Sequence, residues 1–299
     1  MNTTAPLSST AAIERRTGLS AGEFRRRYLH PHRPVVISDA LKAWPALARW
    51  TPQFFKDRYA AKQVTADGKT HALGELMDWV MRSTKEDPAP YLRNELLEEL
   101  FPELMPDIQP TPEYLKPNWL RRPLHHPDVP QLDRGAKIEL FIGGTGQSFP
   151  VLHYDELYTH AFLMQIYGRK QYFVYPPDQT PFMYPVPDDP NHSQLNDVES
   201  PDLAKFPLFA KARGLTFTLD AGEMLFVPCG WWHTVRMLTP SITLSVNSAN
   251  SSNWRMLSRE LCRLVYRIHP SRKKRLKLAA YLGCLGLLNN LKDWTGSPS

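Results

Sequence analysis

Between Lys137 and Asn250 the sequence is cut into short apolar runs by turn signals, and that rhythm limits the fold more than any other feature of the 299 residues. Lys137–Ile142 ends at Gly143-Gly144, and Ala161–Tyr167 is parted from Lys170–Tyr175 by Gly168. Leu215–Leu219, Glu223–Val227, Trp232–Leu238 and Ser241–Val246 follow, with turns at Asp220–Gly222, Pro228–Gly230 and Thr239-Pro240. Short runs rich in β-branched and aromatic residues, bounded in this way, read as strands. Antiparallel strands at this spacing predict a jelly roll or barrel.

The flanks have other periods. Ser20 and Glu23 form a capping box opening a helix through Arg27, and Pro34–Ser38 reads as a compact strand. Thr51-Pro52 caps a helix through Tyr59, and Gln63–His71 turns as a hairpin at Asp67-Gly68. Ala72–Met81 and Asn94–Leu100 read as helical. After Asn250, Trp254, Leu257, Leu261, Leu264 and Ile268 recur three and four apart until Pro270. Leu278, Leu282, Leu285 and Leu288 mark a second apolar face, for packing on the barrel or for a homodimer. The expected fold is α+β with a mainly β core: a double-stranded β-helix with flanking N-terminal helices and a C-terminal helical pair. The expected division is residues 1–250, a catalytic domain with an N-terminal α/β extension, and 251–299, the helices.

Composition narrows the setting. Three cysteines, Cys229, Cys262 and Cys284, form no C-x-x-C pair and are too few for a disulfide framework. Met1–Ala12 carries no basic and then apolar stretch, and the longest apolar run, Leu278–Leu288, is too short to span a bilayer. A cytoplasmic protein without membrane attachment is expected. The net charge of +6 is concentrated in Arg25–Arg27 and Arg272–Arg275, where solvated helix faces are the simpler reading than a nucleic-acid stripe.

The chemistry gathers at His153-Tyr154-Asp155. In an extended strand, positions i and i+2 share a face, so His153 and Asp155 can aim at one point. With a distant histidine they would make the two-His-one-carboxylate triad, which leaves positions open on Fe(II). Ten histidines and 30 acidic residues predict about one H-x-[DE] match by chance, and a second exists at His126-Pro127-Asp128. Pro123 and Pro130 flank that match and argue for an irregular loop. His233 opens a strand after the Pro228–Gly230 turn, so its ring can enter the barrel mouth. Taken alone, it would read as a core histidine.

In this context the chain resembles the Jumonji C or cupin-like oxygenases, especially the branch containing the asparaginyl hydroxylase that inhibits hypoxia-inducible factor. The matching stretches are His153–Glu156, Gln165–Lys170, Tyr175–Gln179, Val227–His233 and Ile242–Asn247. Pro34–Ile37 and Trp44-Pro45 are also similar. The resemblance implies a 2-oxoglutarate-dependent hydroxylase with His153, Asp155 and His233 binding Fe(II) and serving catalysis. Lys170 would pair with the distal carboxylate of 2-oxoglutarate, although alone it reads as a strand-end lysine reaching solvent. Asn247 and Tyr91 match further cosubstrate contacts. Two positions depart: Thr159 replaces an asparagine and Pro150 a threonine, and the Asp155–Gly168 spacing is about two residues longer. Thr159 or His160 is expected to fill the missing contact.

A peptide or protein side chain is the substrate class this resemblance implies. Alternatives are a transfer-RNA or small-molecule hydroxylase, or a cupin holding zinc or manganese without redox chemistry. The basic pI of about 9.2 would suit RNA, but no aromatic-interleaved basic motif supports it.

Overall fold

The computed structural model describes residues 12–121, 137–268 and 270–295. Met1–Ala11 and the rival match His126-Pro127-Asp128 lie outside them.

The chain enters through β1 (Arg15–Arg16), α1 (Ala21–Phe24), a π-helical stretch Arg25–Leu29 and β2 (Val35–Ile37). Ser20 caps α1 by accepting from the Glu23 amide at 3.2 Å. The Glu23 carboxylate turns instead to Arg16 and Arg27, at 2.9 and 3.0 Å, so only half of the expected box forms. Then come α2 (Ala46–Arg49), α3 (Pro52–Tyr59) with Thr51 accepting from the Phe54 amide, and the hairpin β3 (Gln63–Ala66)–β4 (Lys69–Ala72). Asp67 and Gly68 both take positive φ at its turn, 46° and 75°. After α4 (Leu73–Arg82), the segment expected to be helical from Asn94 is instead strand β5 (Leu92–Leu96), and only α5 (Leu97–Leu100) is helical. Tertiary pairing overrides propensity here: β5 forms a sheet edge against β6 (Glu139–Gly143), bulged at Asn94, whose φ is 59°.

The remaining strands are β7 (His160–Tyr167), β8 (Arg169–Tyr175), β9 (Pro185–Val186), β10 (Asp189–Ser193), β11 (Leu215–Asp220), β12 (Met224–Val227), β13 (Trp232–Met237) and β14 (Ser241–Ser248). They form a seven-stranded sheet, β1-β2-β12-β7-β14-β6-β5, and a three-stranded sheet, β11-β8-β13. This is the expected jelly roll of an α+β fold.

The strand period of two divides the residues between two environments. On β7, Phe162, Met164 and Ile166 face the N-terminal helices, in a core with Phe24, Phe55, Met77 and Phe226. Ala161 and Leu163 face inward onto a cavity. On β14, Ile242, Leu244 and Val246 join the same core, while Thr243, Ser245 and Asn247 line the cavity. One face therefore holds the fold and the other builds the site.

Two long helices follow, α6 (Trp254–Ile268) and α7 (Arg272–Thr295). Trp254, Leu257, Leu261, Leu278 and Leu282 pack with Trp119, Leu120 and Leu157 against the barrel. The Trp119 and Trp254 rings meet at 5.3 Å, and the Trp254 indole donates to the Leu282 carbonyl at 3.0 Å. The opposite side of α7 stays exposed, including Leu276, Leu287, Leu288, Leu291 and Trp294. Among the described residues no helix is long and apolar enough to cross a membrane.

Candidate metal centre and cosubstrate cavity

His153 and Asp155 do not lie on a regular strand, as the sequence suggested. Their backbone is extended, and His153 pairs by isolated bridges with His233 on one side and His192 on the other. After Asp155 the chain turns abruptly, with Leu157 and Tyr158 at φ of 57° and 52°. The alternation expected of a strand still holds over these three residues. The ligand atoms of His153, Asp155 and His233 lie within 4.8 Å of one another.

Both imidazoles are held in one tautomer. His153 Nδ1 faces the Val151 carbonyl at 3.1 Å, and His233 Nδ1 faces the Trp231 carbonyl at 3.0 Å. A carbonyl only accepts, so each Nδ1 carries the proton and each Nε2 keeps its lone pair for a cation. Burial pushes the His153 pKa well below the ordinary histidine range, aided by His233 and His192 and opposed by the Val151 bond. Burial also raises Asp155, against the influence of His233. The first shift keeps the imidazole neutral, as a metal ligand must be, and the second marks a buried carboxylate whose charge a divalent ion would offset.

The triad opens on a cavity of about 380 Å³. Seven of the residues singled out from the sequence line it: Tyr91, His153, Asp155, Thr159, Lys170, His233 and Asn247. Lys170 departs from its solvent-exposed reading. It is 2% exposed, with Nζ over the Tyr91 and Phe141 rings at 5.8 and 5.9 Å from their centroids. Burial, the sole influence on its charge, pushes its pKa down to about 7. Tyr91 is fully enclosed, and burial raises its pKa. Asn247 is held from behind, where Asn118 Nδ2 donates to its carbonyl at 2.8 Å.

Thr159 reaches the cavity, but its hydroxyl donates to the Glu156 carbonyl at 3.1 Å. His160, the other candidate for the missing contact, does not line the cavity and bonds to Ser252 and Cys229. Sequence reasoning missed Asn191 and His192, which wall the cavity from the hairpin β9–β10. His192 stacks over His153 at 6.0 Å and its Nδ1 bonds Asp189 at 2.5 Å. Two-residue β9 sits among Pro181, Pro185 and Pro187, so no period was there to read.

Two imidazoles and one carboxylate are the donor set for a non-haem Fe(II) centre with open positions. A buried lysine in the same cavity answers to a small dicarboxylate, since its charge needs an anion. The residues therefore fit Fe(II) with 2-oxoglutarate.

Comparison with known proteins agrees with this fit. The chain is 30% identical over 244 residues to lysine-specific demethylase 8 of Xenopus tropicalis, covering 80% of this chain and 53% of the relative. It is 29% identical over 255 residues to lysine-specific demethylase JMJ30 of Arabidopsis thaliana, covering 81% and 56%. It is 42% identical over 118 residues to HSPB1-associated protein 1 of Rattus norvegicus, covering 38% and 24%. The chain thus spans at most about half the length of these relatives. The family model described as a cupin-like domain matches residues 21–259, so the chain belongs to the cupin-like domain family.

Proposed function

We propose that the chain is an Fe(II)- and 2-oxoglutarate-dependent oxygenase that hydroxylates a C–H bond on a protein or peptide side chain. The observation that carries this reading is Lys170, a buried cation lining the same cavity as the His153–Asp155–His233 triad. A metal-binding cupin without redox chemistry has no need of it.

Fe(II), with 2-oxoglutarate and dioxygen, supplies the oxidising power for hydroxylation and leaves succinate and carbon dioxide. The chain's own residues do the positioning. His153 and His233 offer Nε2 lone pairs, and Asp155 offers a carboxylate that burial otherwise disfavours. Lys170 receives the distal carboxylate of 2-oxoglutarate, with Tyr91, Thr159 and Asn247 around it. Ala161, Leu163, Phe141 and Phe149 keep water from the interior. Asn191, His192 and Glu156, also on the cavity wall, contact the substrate.

The resemblance to the asparaginyl hydroxylase branch and the demethylase names of two relatives support the same step. Hydroxylation of an N-methyl carbon is the route to demethylation. The test is conversion of 2-oxoglutarate to succinate by the purified chain with Fe(II) and a peptide library. A chain that binds Fe(II) but neither binds nor decarboxylates 2-oxoglutarate would leave the non-redox cupin in its place.

The protein partner we infer is a second copy. On α7 the exposed positions Ala280, Cys284, Leu287, Leu291 and Trp294 recur four and three apart, the spacing of a helix–helix seam. The three free cysteines support a reducing, cytoplasmic setting.

A further inference from the structure

A second cluster of metal-type donors lies outside the cavity. His32 in the turn before β2, His160 at the start of β7, and Cys229 between β12 and β13 bring ligand atoms within 4.8 Å of one another. They are 128 and 69 residues apart in sequence, so only the fold joins them. Cys229 and His160 are buried, at 3% and 0% exposure, and His32 is half-buried.

Ordinary packing accounts for part of this cluster. The Ser252 hydroxyl donates to Asn250 Oδ1 at 2.7 Å, so its oxygen accepts from His160 Nε2–H at 2.8 Å. His160 Nδ1 is then a lone pair, and it accepts from the Cys229 amide at 3.0 Å. Packing does not account for His32. Its ring stands edge-on to His160, with centroids 5.4 Å apart, and its Nδ1 lies 3.9 Å from Cys229 Sγ. Its Nε2 is buried without a hydrogen-bond partner. The His32 backbone is held at φ 54°, and its carbonyl accepts from the Trp231 indole at 3.0 Å. A half-buried imidazole, a thiol and a second ring lone pair with ligand atoms this close together make a donor set suited to a soft cation.

We propose that His32, His160 and Cys229 form a second cation site, selective for a thiophilic divalent ion such as Zn(II). On binding, the Cys229 S–H bond breaks, its proton passes to solvent, and the sulfur pair forms the bond to the cation. His160 Nδ1 exchanges the Cys229 amide for the cation while its Nε2–H stays on Ser252. His32 adds a ring nitrogen, and water completes the tetrahedron. The site would clamp the turn that delivers His233, four residues beyond Cys229.

The test is Co(II) titration of the metal-stripped full chain. The triad offers only nitrogen and oxygen, so a thiolate-to-cobalt charge-transfer band reports the second site alone. The band should saturate by two equivalents, the triad taking the other ion, yield to Zn(II), persist in Cys262→Ser/Cys284→Ser and vanish in Cys229→Ser. His32→Ala should weaken Zn(II) at least about tenfold. Absence of the band in the unmodified chain, or its survival in Cys229→Ser, overturns the proposal. If Cys229→Ser fails to fold, X-ray absorption of the zinc-loaded chain decides: one sulfur neighbour at about 2.3 Å upholds the site, and none refutes it.

Discussion

His153 and His233 are joined backbone to backbone. The His153 amide donates to the His233 carbonyl at 3.1 Å, and the His233 amide returns the bond at 2.6 Å. Two proposed ligands 80 positions apart in sequence thus belong to a single bridge, with ring centroids 4.4 Å apart. Closing the barrel seam and assembling the metal centre are one event, so the site is preorganised before a cation arrives.

Removing one member should therefore abolish function without unravelling the strand pairing. His153→Ala is expected to lower Fe(II) affinity more than the roughly 10–100-fold seen when a supporting hydrogen bond is lost. Equilibrium dialysis against iron, with circular dichroism as the folding control, checks it. Retained iron affinity would remove His153 from the ligand set.

Lys170 should trade stability for binding. Its charge is buried over two aromatic rings, so Lys170→Met is expected to leave the metal-free chain as stable or raise its melting temperature. The same variant should bind 2-oxoglutarate at least about tenfold more weakly while keeping iron. Calorimetry on both ligands separates the two effects.

The pH dependence follows from the same residue. Its folded pKa of about 7 lies below the usual lysine value near 10.4, so between these values the unfolded chain holds more protons. This contribution to stability is fully present above the unfolded pKa and is lost as pH falls through about 7. Cosubstrate binding has the opposite sign, because the carboxylate needs the charged amine. Affinity for 2-oxoglutarate should fall by up to about tenfold per unit above pH 7, with uptake of a proton. Titrations in two buffers of different ionisation enthalpy measure that proton, and affinity unchanged from pH 7 to 9 would count against the pairing.

Gly168 sits at the β7–β8 turn with φ 72°, and an added Cβ would strike the Pro240 carbonyl. Gly168→Ala should cost roughly 1–3 kcal/mol from backbone strain alone. Because Lys170 follows two residues later, cosubstrate affinity should drop with it. Chemical denaturation and calorimetry read the two losses.

On α7, Leu287, Leu291 and Trp294 are 68%, 60% and 87% exposed. Light scattering should report two copies of the chain, and Leu287→Glu with Leu291→Glu should report one while helix content is kept. A single copy for the unmodified chain at tens of micromolar would refute the seam.

Much of this architecture was legible because its signals are local. Thr51-Pro52, Asp67-Gly68 and the apolar run Ala161–Tyr167 each act over a few residues, and each appears where expected. Asn94–Leu96 misled because helix propensity there is outweighed by pairing with β6, a partner more than 40 positions away. Lys170 taken alone reads as a strand-end lysine reaching water; its place in the cavity, which the resemblance implied, depends on barrel closure setting Tyr91 and Phe141 beside it. The His32–His160–Cys229 cluster has no sequence signature, since each member comes from a different turn or strand end.

The hairpin β9–β10 places Asn191 and His192 on the cavity wall, yet among the described residues its strands pair only with each other and by one bridge to His153. Its strands belong to neither main sheet. On the proposed reading, the wall that would meet the substrate and the strands that carry His233 and Lys170 are separate pieces of the chain.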